Sequence, residues 1–408
     1  MSALKFAASL LPVATLIASS PLASADETAS AFETALSETK PLFNARLRYE
    51  GVNQSGLPED ASAITYRLRA GLETGSFYHN ILLIEFDHID DLVDDFNSTT
   101  NGKAMFPVVA DPNATELNRF QVTNTAIPET TITIGRQRII LDDARFVGNV
   151  GWRQNEQTFD AVRVQNTSLG KFNIDVSYVD QVNRIFGDES LAGRWDGNSF
   201  LVNVSHPTPV GKLTGFGYFL DIEDGAGTFS SQTFGGRLAG KQDVGEGAWS
   251  YAFSYAKQSD YADNPFDYEA HYLFAESSYA VNGFMFGAGY EVLGGDTQRG
   301  FQTPLATLHK FQGWTDKFLA TPTTGVEDIY AKAGYNFGDI GFFSGLNTTS
   351  FYHVLSADKG GANYGSEFGF VASAKIDKVN VTLKYADYNA DGFGTDTSKL
   401  WFQLDFAL

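Results

Sequence analysis

Arginines recur in this chain at a spacing of two: Arg46 and Arg48, Arg67 and Arg69, Arg136 and Arg138. A guanidinium is permanently charged and grips a carboxylate through two parallel hydrogen bonds. A face built from such groups would therefore favour organic acids or polyanions. Arg119, Arg163 and Arg237 extend the set, and nearly all of the arginine lies before residue 238. Lys332, Lys375 and Lys384 carry the basic character into the second half. Carboxylates run through the same stretches, among them Glu50, Glu73, Glu85, Asp87, Asp175, Asp221, Glu291, Glu367 and Asp405. Part of the set would then brace one wall against another through ion pairs that serve structure alone.

Other chemistries are poorly supplied. With no cysteine there is no disulfide, no thiol nucleophile and no thiolate-held metal. The six histidines, His79, His88, His206, His271, His309 and His353, are scattered, and none sits in a nucleophile motif. His88 beside Asp87 and Asp90 is the tightest grouping and reads as the solvated end of a strand. Asp90, Asp91, Asp94 and Asp95 lack the spacing of a dedicated calcium loop, so a solvated or cation-bridged contact with lipopolysaccharide is the expectation there. No catalytic residue, cofactor or metal is assigned. A formal charge of −20, or −21 once Lys5 is lost with the leader described below, argues against nucleic acid as a partner.

The elements that carry the arginines have a period of two. Ala45, Leu47 and Tyr49 alternate with Arg46, Arg48 and Glu50; Ile64, Tyr66, Leu68, Ala70 and Leu72 alternate with Thr65, Arg67, Arg69, Gly71 and Glu73. Successive side chains of a strand point to opposite faces, so one face is apolar and the other charged. A soluble sandwich would bury the apolar face, whereas a membrane barrel would turn it to lipid and line its lumen with the charges.

The connections decide between them. Strands are expected near 44–52, 62–73, 77–88, 118–126, 130–139, 158–166, 171–180, 199–205 and 212–221, then near 232–242, 248–257, 269–279, 283–292, 329–337, 341–353, 365–375, 378–388 and 398–408. Every second link is short, as at Thr74 to Ser76 or Ile376 and Asp377, while those between are generally longer and polar, notably 89–117, 140–157, 181–198 and 293–328. Tight turns alternating with long loops and an even strand number predict an all-β fold, a transmembrane antiparallel barrel of about eighteen strands with short periplasmic turns and long extracellular loops. Aromatic faces such as Trp249, Tyr251, Phe253 and Tyr255, or Phe284, Phe286 and Tyr290, suit the girdles at the membrane interfaces. The last strand alternates Phe402, Leu404, Phe406 and Leu408 with Gln403 and Asp405, a terminal signal of the kind read by the outer-membrane assembly machinery, though Leu stands where Phe is usual.

At the amino terminus Lys5, the apolar run from Phe6 to Ala18 and the triplet Ala23-Ser24-Ala25 predict a secretory signal peptide over 1–25. A periplasmic segment over 26–43 and the barrel over 44–408 follow. By parity, Arg46, Arg48, Arg67, Arg69, Arg119, Arg163, Arg237, Lys332 and Lys384 face the lumen. Arg136 and Arg138 share the parity of Ile132 and Ile134, so they lie beyond the lipid band, follow a bulge or mark an error of register. The long link from Gly294 to Asp328, with His309, Lys310, Trp314, Asp316, Lys317 and Phe318, is a candidate gate folded into the mouth.

The stretch from Ile134 to Gln154 (Ile-Gly-Arg-Gln-Arg-Ile-Ile-Leu-Asp-Asp-Ala-Arg-Phe-Val-Gly-Asn-Val-Gly-Trp-Arg-Gln), continued by Thr158 to Val164, resembles the alginate-export family of outer-membrane proteins. The opening strand Asn44 to Glu50 and the segment Thr303 to Phe318 are similar too. The resemblance implies an eighteen-stranded barrel whose arginine-rich channel passes an anionic polysaccharide by diffusion. Carried over residue by residue, it places Arg46, Arg48, Arg67, Arg69, Arg136 and Arg163 on the pore, with Arg145 and Arg153 as weaker candidates. The expected function is passive passage of anionic solutes, small molecules or a polysaccharide such as alginate or its oligouronates, across the Gram-negative outer membrane. Its partners would be membrane lipid, lipopolysaccharide and the assembly machinery. The alternatives are a structural or adhesin-like barrel with a plugged lumen and, behind it, an outer-membrane enzyme.

Overall fold

The computed structural model describes residues 25–408. The leader expected over 1–25 therefore lies, but for its last residue, outside the described residues. The chain begins with helix α1 (Ala25–Ser37) and continues as eighteen strands. The first nine are β1 (Lys40–Gln54), β2 (Ala61–Glu73), β3 (Asn80–Asp95), β4 (Ala114–Asn124), β5 (Thr130–Gln137), β6 (Thr158–Asn166), β7 (Asn173–Asn183), β8 (Arg194–Thr208) and β9 (Gly211–Leu220). The second nine are β10 (Ser231–Val244), β11 (Gly247–Asp260), β12 (Glu269–Val281), β13 (Phe284–Leu293), β14 (Val326–Ile340), β15 (Phe343–Ser356), β16 (Asn363–Ile376), β17 (Val379–Ala390) and β18 (Thr397–Ala407). Each strand pairs antiparallel with the next, and β18 returns to pair with β1, for example Arg46 opposite Asp405 and Tyr49 opposite Phe402. Closure leaves no edge strand, which is the condition for a sheet to span lipid. Among the described residues no helix is long and apolar enough to cross a membrane.

The register confirms which face meets lipid. Leu47, Leu68, Phe86, Phe120, Phe200, Phe234, Phe253, Phe286, Ile329, Phe368 and Phe402 are all exposed large apolar side chains on the outer wall. An apolar belt of this extent is unstable in water and stable in a bilayer. Buried charge is the complement: Arg48, Arg67, Arg69, Glu50, Glu85, Asp87, Glu291 and Glu367 point inward.

Two details depart from the sequence reading. β1 starts at Lys40, not 44, because Lys40 to Phe43 find partners in Glu73 to Ala70 of β2. β8 extends over Arg194–Thr208, well beyond the short segment expected at 199–205, since β7 pairs with Arg194 to Ser205 across one bulge and β9 carries the ladder on to Thr208. Helix α1 rests on the periplasmic turn between β2 and β3, where the Gly75 amide donates to the Ala35 carbonyl at 2.9 Å and Phe32 meets Phe77 edge to face.

A lumen closed by two inserted segments

β5 is the shortest strand of the wall, and its early end starts the site. The Gln137 side chain donates to the carbonyls of Thr133, Gly135 and Ala161, terminating the ladder. The chain then turns into the barrel, and residues 138–157 cross the lumen. From the other side the link 294–325 between β13 and β14 folds inward to meet it. The sequence reading treated 140–157 as a polar extracellular loop. Its apolar side chains overturn that: Ile139, Leu141 and Val147 are buried in one core with Phe301, Leu305 and Phe318 of the second segment and wall residues such as Phe159, Tyr272 and Tyr388.

The segments are joined through their backbones. The Gly148 amide donates to the Leu305 carbonyl at 2.9 Å and the Thr307 amide to the Ala144 carbonyl at 3.0 Å, while the Gln157 side chain bonds both Gly148 and Leu305. Asp142, Ala144, Val150, Gln312 and Asp316 all hold positive φ. For a β-branched residue such as Val150 that conformation is costly, so the surrounding contacts must impose it.

The predicted lumen arginines hold the first segment in place. Arg46 Nη1 donates to the carbonyls of Gly151, Trp152 and Arg153, each at 3.1 Å, and its Nε reaches Asp405 at 2.7 Å. Arg48 donates to the Trp152 carbonyl and to Gln403, and its guanidinium lies 4.2 Å over the Trp152 ring. Arg67 donates to the Gln154 carbonyl at 3.1 Å and to Asn44. Arg69 binds Asp87 at 2.5 Å and Glu156 at 3.1 Å. Glu156 also meets Arg138 and Asn118; burial raises its affinity for a proton, but Arg69 and Arg138 outweigh it and hold the carboxyl down at about 2.

Arg119, Arg163, Arg237 and Lys332 also face inward, each against a carboxylate: Glu85 at 2.7 Å, Asp175 at 2.5 Å, Asp143 at 2.9 Å and Glu276 at 2.7 Å respectively. Arg136 is the exception among the expected pore residues. β5 carries no bulge to reset its parity, so Arg136 stays on the outer face opposite Phe120 and Asp160, bound to Asp160 at 2.8 and 3.0 Å beside a polar cleft of about 680 Å³. Arg138, past the end of the strand, turns inward. His88 and Asp87 likewise part company, Asp87 going to Arg69 and His88 outward to Tyr66 and Thr115.

The residues of the expected gating segment gather at a buried relay. His309 Nδ1 lies 2.7 Å from Asp316, and its Nε2 2.7 Å from Lys384 Nζ, so a neutral imidazole donates to the carboxylate and accepts from the ammonium. Burial, with Lys384 and Arg153 adding to it, drives the imidazole well below its usual range despite Asp316; Asp316, flanked by His309, Lys399 and Arg153, is held well below the carboxylate range although burial opposes this. The ammonium of Lys384 stands 4.2, 3.7 and 5.3 Å from the rings of Trp152, Trp314 and Trp401, a cation–π cage drawn from two inserted segments and the wall. Lys310 caps the Asp143 carbonyl at 2.9 Å, and the amides of Trp314 and Thr315 both donate to Glu367. Arg145, a weak candidate in sequence, proves central: it pairs with Glu291 at 2.6 Å and Thr303 at 3.0 Å. Trp152, Gln154, Glu156, Asp111, Lys399 and Trp401 were missed. The available signal was the apolar density of 139–152, too high for a solvated link.

The alginate export family matches residues 94–273, a span that includes the Ile134 to Val164 stretch but neither the opening strand nor the 303–318 segment. No curated protein matches the sequence. Among solved structures, the outer membrane protein OpdK of Pseudomonas aeruginosa superposes with a TM-score of 0.69 at 16% identity, covering 91% of this chain and 99% of that one. OpdO of the same organism gives 0.70 at 14% identity over 92% and 99%, and OccAB4 of Acinetobacter baumannii 0.70 at 15% over 91% and 98%. Residues 94–273 are thus similar to the alginate export family, and the eighteen-stranded barrel as a whole shares its fold with the outer-membrane barrels OpdK, OpdO and OccAB4.

Proposed function

We propose that the protein is a channel for passive passage of anionic solutes whose conducting path is governed by the two inserted segments. The observation that carries this reading is the strip of four arginines on β1 and β2. Arg67 has no carboxylate within ion-pairing distance among the described residues; its partners are the Gln154 carbonyl and the Asn44 amide oxygen, and its Nε has no hydrogen-bond acceptor. Arg48 Nη1 is also without one, with Asp111 at 3.5 Å. A segment that leans on guanidinium groups mainly through backbone carbonyls is a weaker partner than an anion would be. A shift of 151–154 would therefore bare Arg48 and Arg67 to a passing carboxylate, while Arg46 and Arg69 stay paired with Asp405 and Asp87 of the wall, and selectivity at a pore follows the charge at its narrowest point. Alginate or oligouronates are the polyanions that the family match suggests.

The plugged structural barrel remains as the second reading, favoured by Ile139 and Phe301 at 0% exposure in the lumen. Single-channel conductance in a planar bilayer under a salt gradient separates the two. Anion-selective current, blocked by oligoalginate and reduced in the double variant Arg67→Ser/Arg69→Ser, is the expected result. Cation preference would sink the proposal, and silence from both the native protein and a variant lacking 141–153 would leave a structural barrel.

A further inference from the structure

The wall of the barrel is incomplete at one place. β4 keeps its ladder with β3 up to Ala114, but on its other side it pairs with β5 only from Phe120 to Asn124, because β5 stops at Gln137 and the chain leaves for the lumen. Ala114 to Arg119 therefore present an open ladder edge, and the link from β7 to β8 bends across to it, the Asp188 amide donating to Glu116 at 3.0 Å. Between the two lies the polar cleft of about 680 Å³ beside Arg136. It opens on the outer face just above the apolar belt: Arg136 stands two residues beyond Ile134 on β5, and Asn198 and Asp196 precede the exposed Phe200 on the same face of β8. Inward it ends on buried Asn118, which donates to Glu85 at 2.8 Å and Glu156 at 2.7 Å inside the barrel, so the gap is a blind pocket in the wall. One side is fixed by a chain of hydrogen bonds. Gln181 donates to Asn183 at 2.6 Å, Asn183 to Asp160 at 3.0 Å, and Arg136 to Asp160 at 2.8 and 3.0 Å and to the Leu117 carbonyl of the open edge at 3.1 Å.

We propose that this cleft seats the core saccharide of outer-leaflet lipopolysaccharide through its hydroxyl groups. The lining narrows the occupant. Six carboxylates (Glu116, Asp160, Asp180, Asp188, Asp196 and Glu223) stand against three guanidinium groups (Arg136, Arg184 and Arg194), and Arg136 is already paired with Asp160, so a phosphate or carboxylate would be repelled. An apolar chain would strand the polar walls. Among the described residues no three carboxylate or histidine side chains are grouped so as to hold a metal ion. A saccharide fits what remains, because its hydroxyls both donate and accept. Gln181 keeps its side-chain carbonyl oxygen for such a ligand, and Asn198, whose oxygen takes the Tyr178 hydroxyl at 2.9 Å, keeps its amide nitrogen. Phe120, 42% exposed, offers its ring at the rim to the C–H face of a hexose. The level just above the apolar belt is where the sugar of that leaflet lies. The site is separate from the arginine strip and stands whether or not the channel passes anions.

The test is isothermal titration of the full mature protein, in phosphatidylcholine nanodiscs with EDTA present, against a core oligosaccharide freed of lipid A and of phosphate, with inorganic phosphate and spermidine as comparison ligands. Saturable binding of the oligosaccharide, and none of phosphate, is expected. Gln181→Ala combined with Asn198→Ala should weaken it about tenfold, and Asp188→Trp, which fills the mouth of the cleft from an exposed position, should abolish it. Absence of saturable binding would overturn the proposal. So would binding that appears only when magnesium replaces EDTA, tighter binding of spermidine than of the oligosaccharide, or an affinity unchanged in the folded variants. Should the double variant fail to fold, Asp188→Trp and the three-ligand comparison on the native protein decide.

Discussion

Asp316 holds more of the interior than its size suggests, with the cations Lys399 at 2.8 Å and Arg153 at 3.4 Å and the neutral His309 at 2.7 Å around a single buried carboxylate. Removing it leaves three groups oriented toward a missing partner, and breaking a buried pair costs about 3–5 kcal/mol. Asp316→Ala should accordingly lower the urea midpoint of the refolded barrel, with the m-value unchanged, whereas the half-buried Lys103→Ala, which loses only its pair with Asp94, should change the stability by less than about 1 kcal/mol. His309 supplies a pH prediction of definite sign. Its folded pKa is depressed below the ordinary 6.5, so between the two values the unfolded chain binds more protons and stability rises with pH. Acidification below about 6.5 should thus loosen the segment, while Asp316 remains ionised. The fluorescence of Trp152, Trp314 and Trp401 reports it, and an emission that stays flat from pH 7 to 4.5 would contradict the account.

The strands were legible because each keeps one alternation long enough to read, and all eighteen expected strands have a counterpart in the barrel. The segment after β5 was not, because Ile139, Leu141, Phe146 and Val147 follow no period and are interrupted by Asp142 and Asp143, which pass for solvated loop residues. In the fold those two aspartates face cations of the wall, Lys212 at 2.8 Å and Arg237 at 2.9 Å. The cage around Lys384 was illegible for another reason. Its parity pointed inward, but Trp152, Trp314 and Trp401 meet there only after closure joins residues far apart in sequence. Arg136 shows the limit of motif transfer, since a strand without a bulge held it on the outer face. At this scale the joint between the two inserted segments makes its own prediction. A Cβ on Gly148 would stand 2.3 Å from Thr307 Oγ1 and 2.7 Å from the Ala144 methyl group. Gly148→Ala should therefore force the segments apart and make 138–157 accessible to protease in intact barrels, while strand content by circular dichroism stays unchanged.

Across the whole molecule, the first inserted segment lies where the cylinder closes. Trp152 sits beneath Arg48 of β1 and edge to face with Trp401 of β18, and Arg48 also reaches Gln403 of β18. The ends of the chain thus meet over a piece contributed from its middle. A barrel zipped shut while empty would leave those groups without the Trp152 ring and carbonyl that partner them. The contacts tie the two events together: seam closure is expected to be coupled to docking of the segment, as a lid seals on a gasket. Refolding into vesicles should show the slowdown when Trp152 is replaced by Gly, in the rate of seam closure more than in the final yield. The stopper of the channel is then also the mould on which the channel is cast.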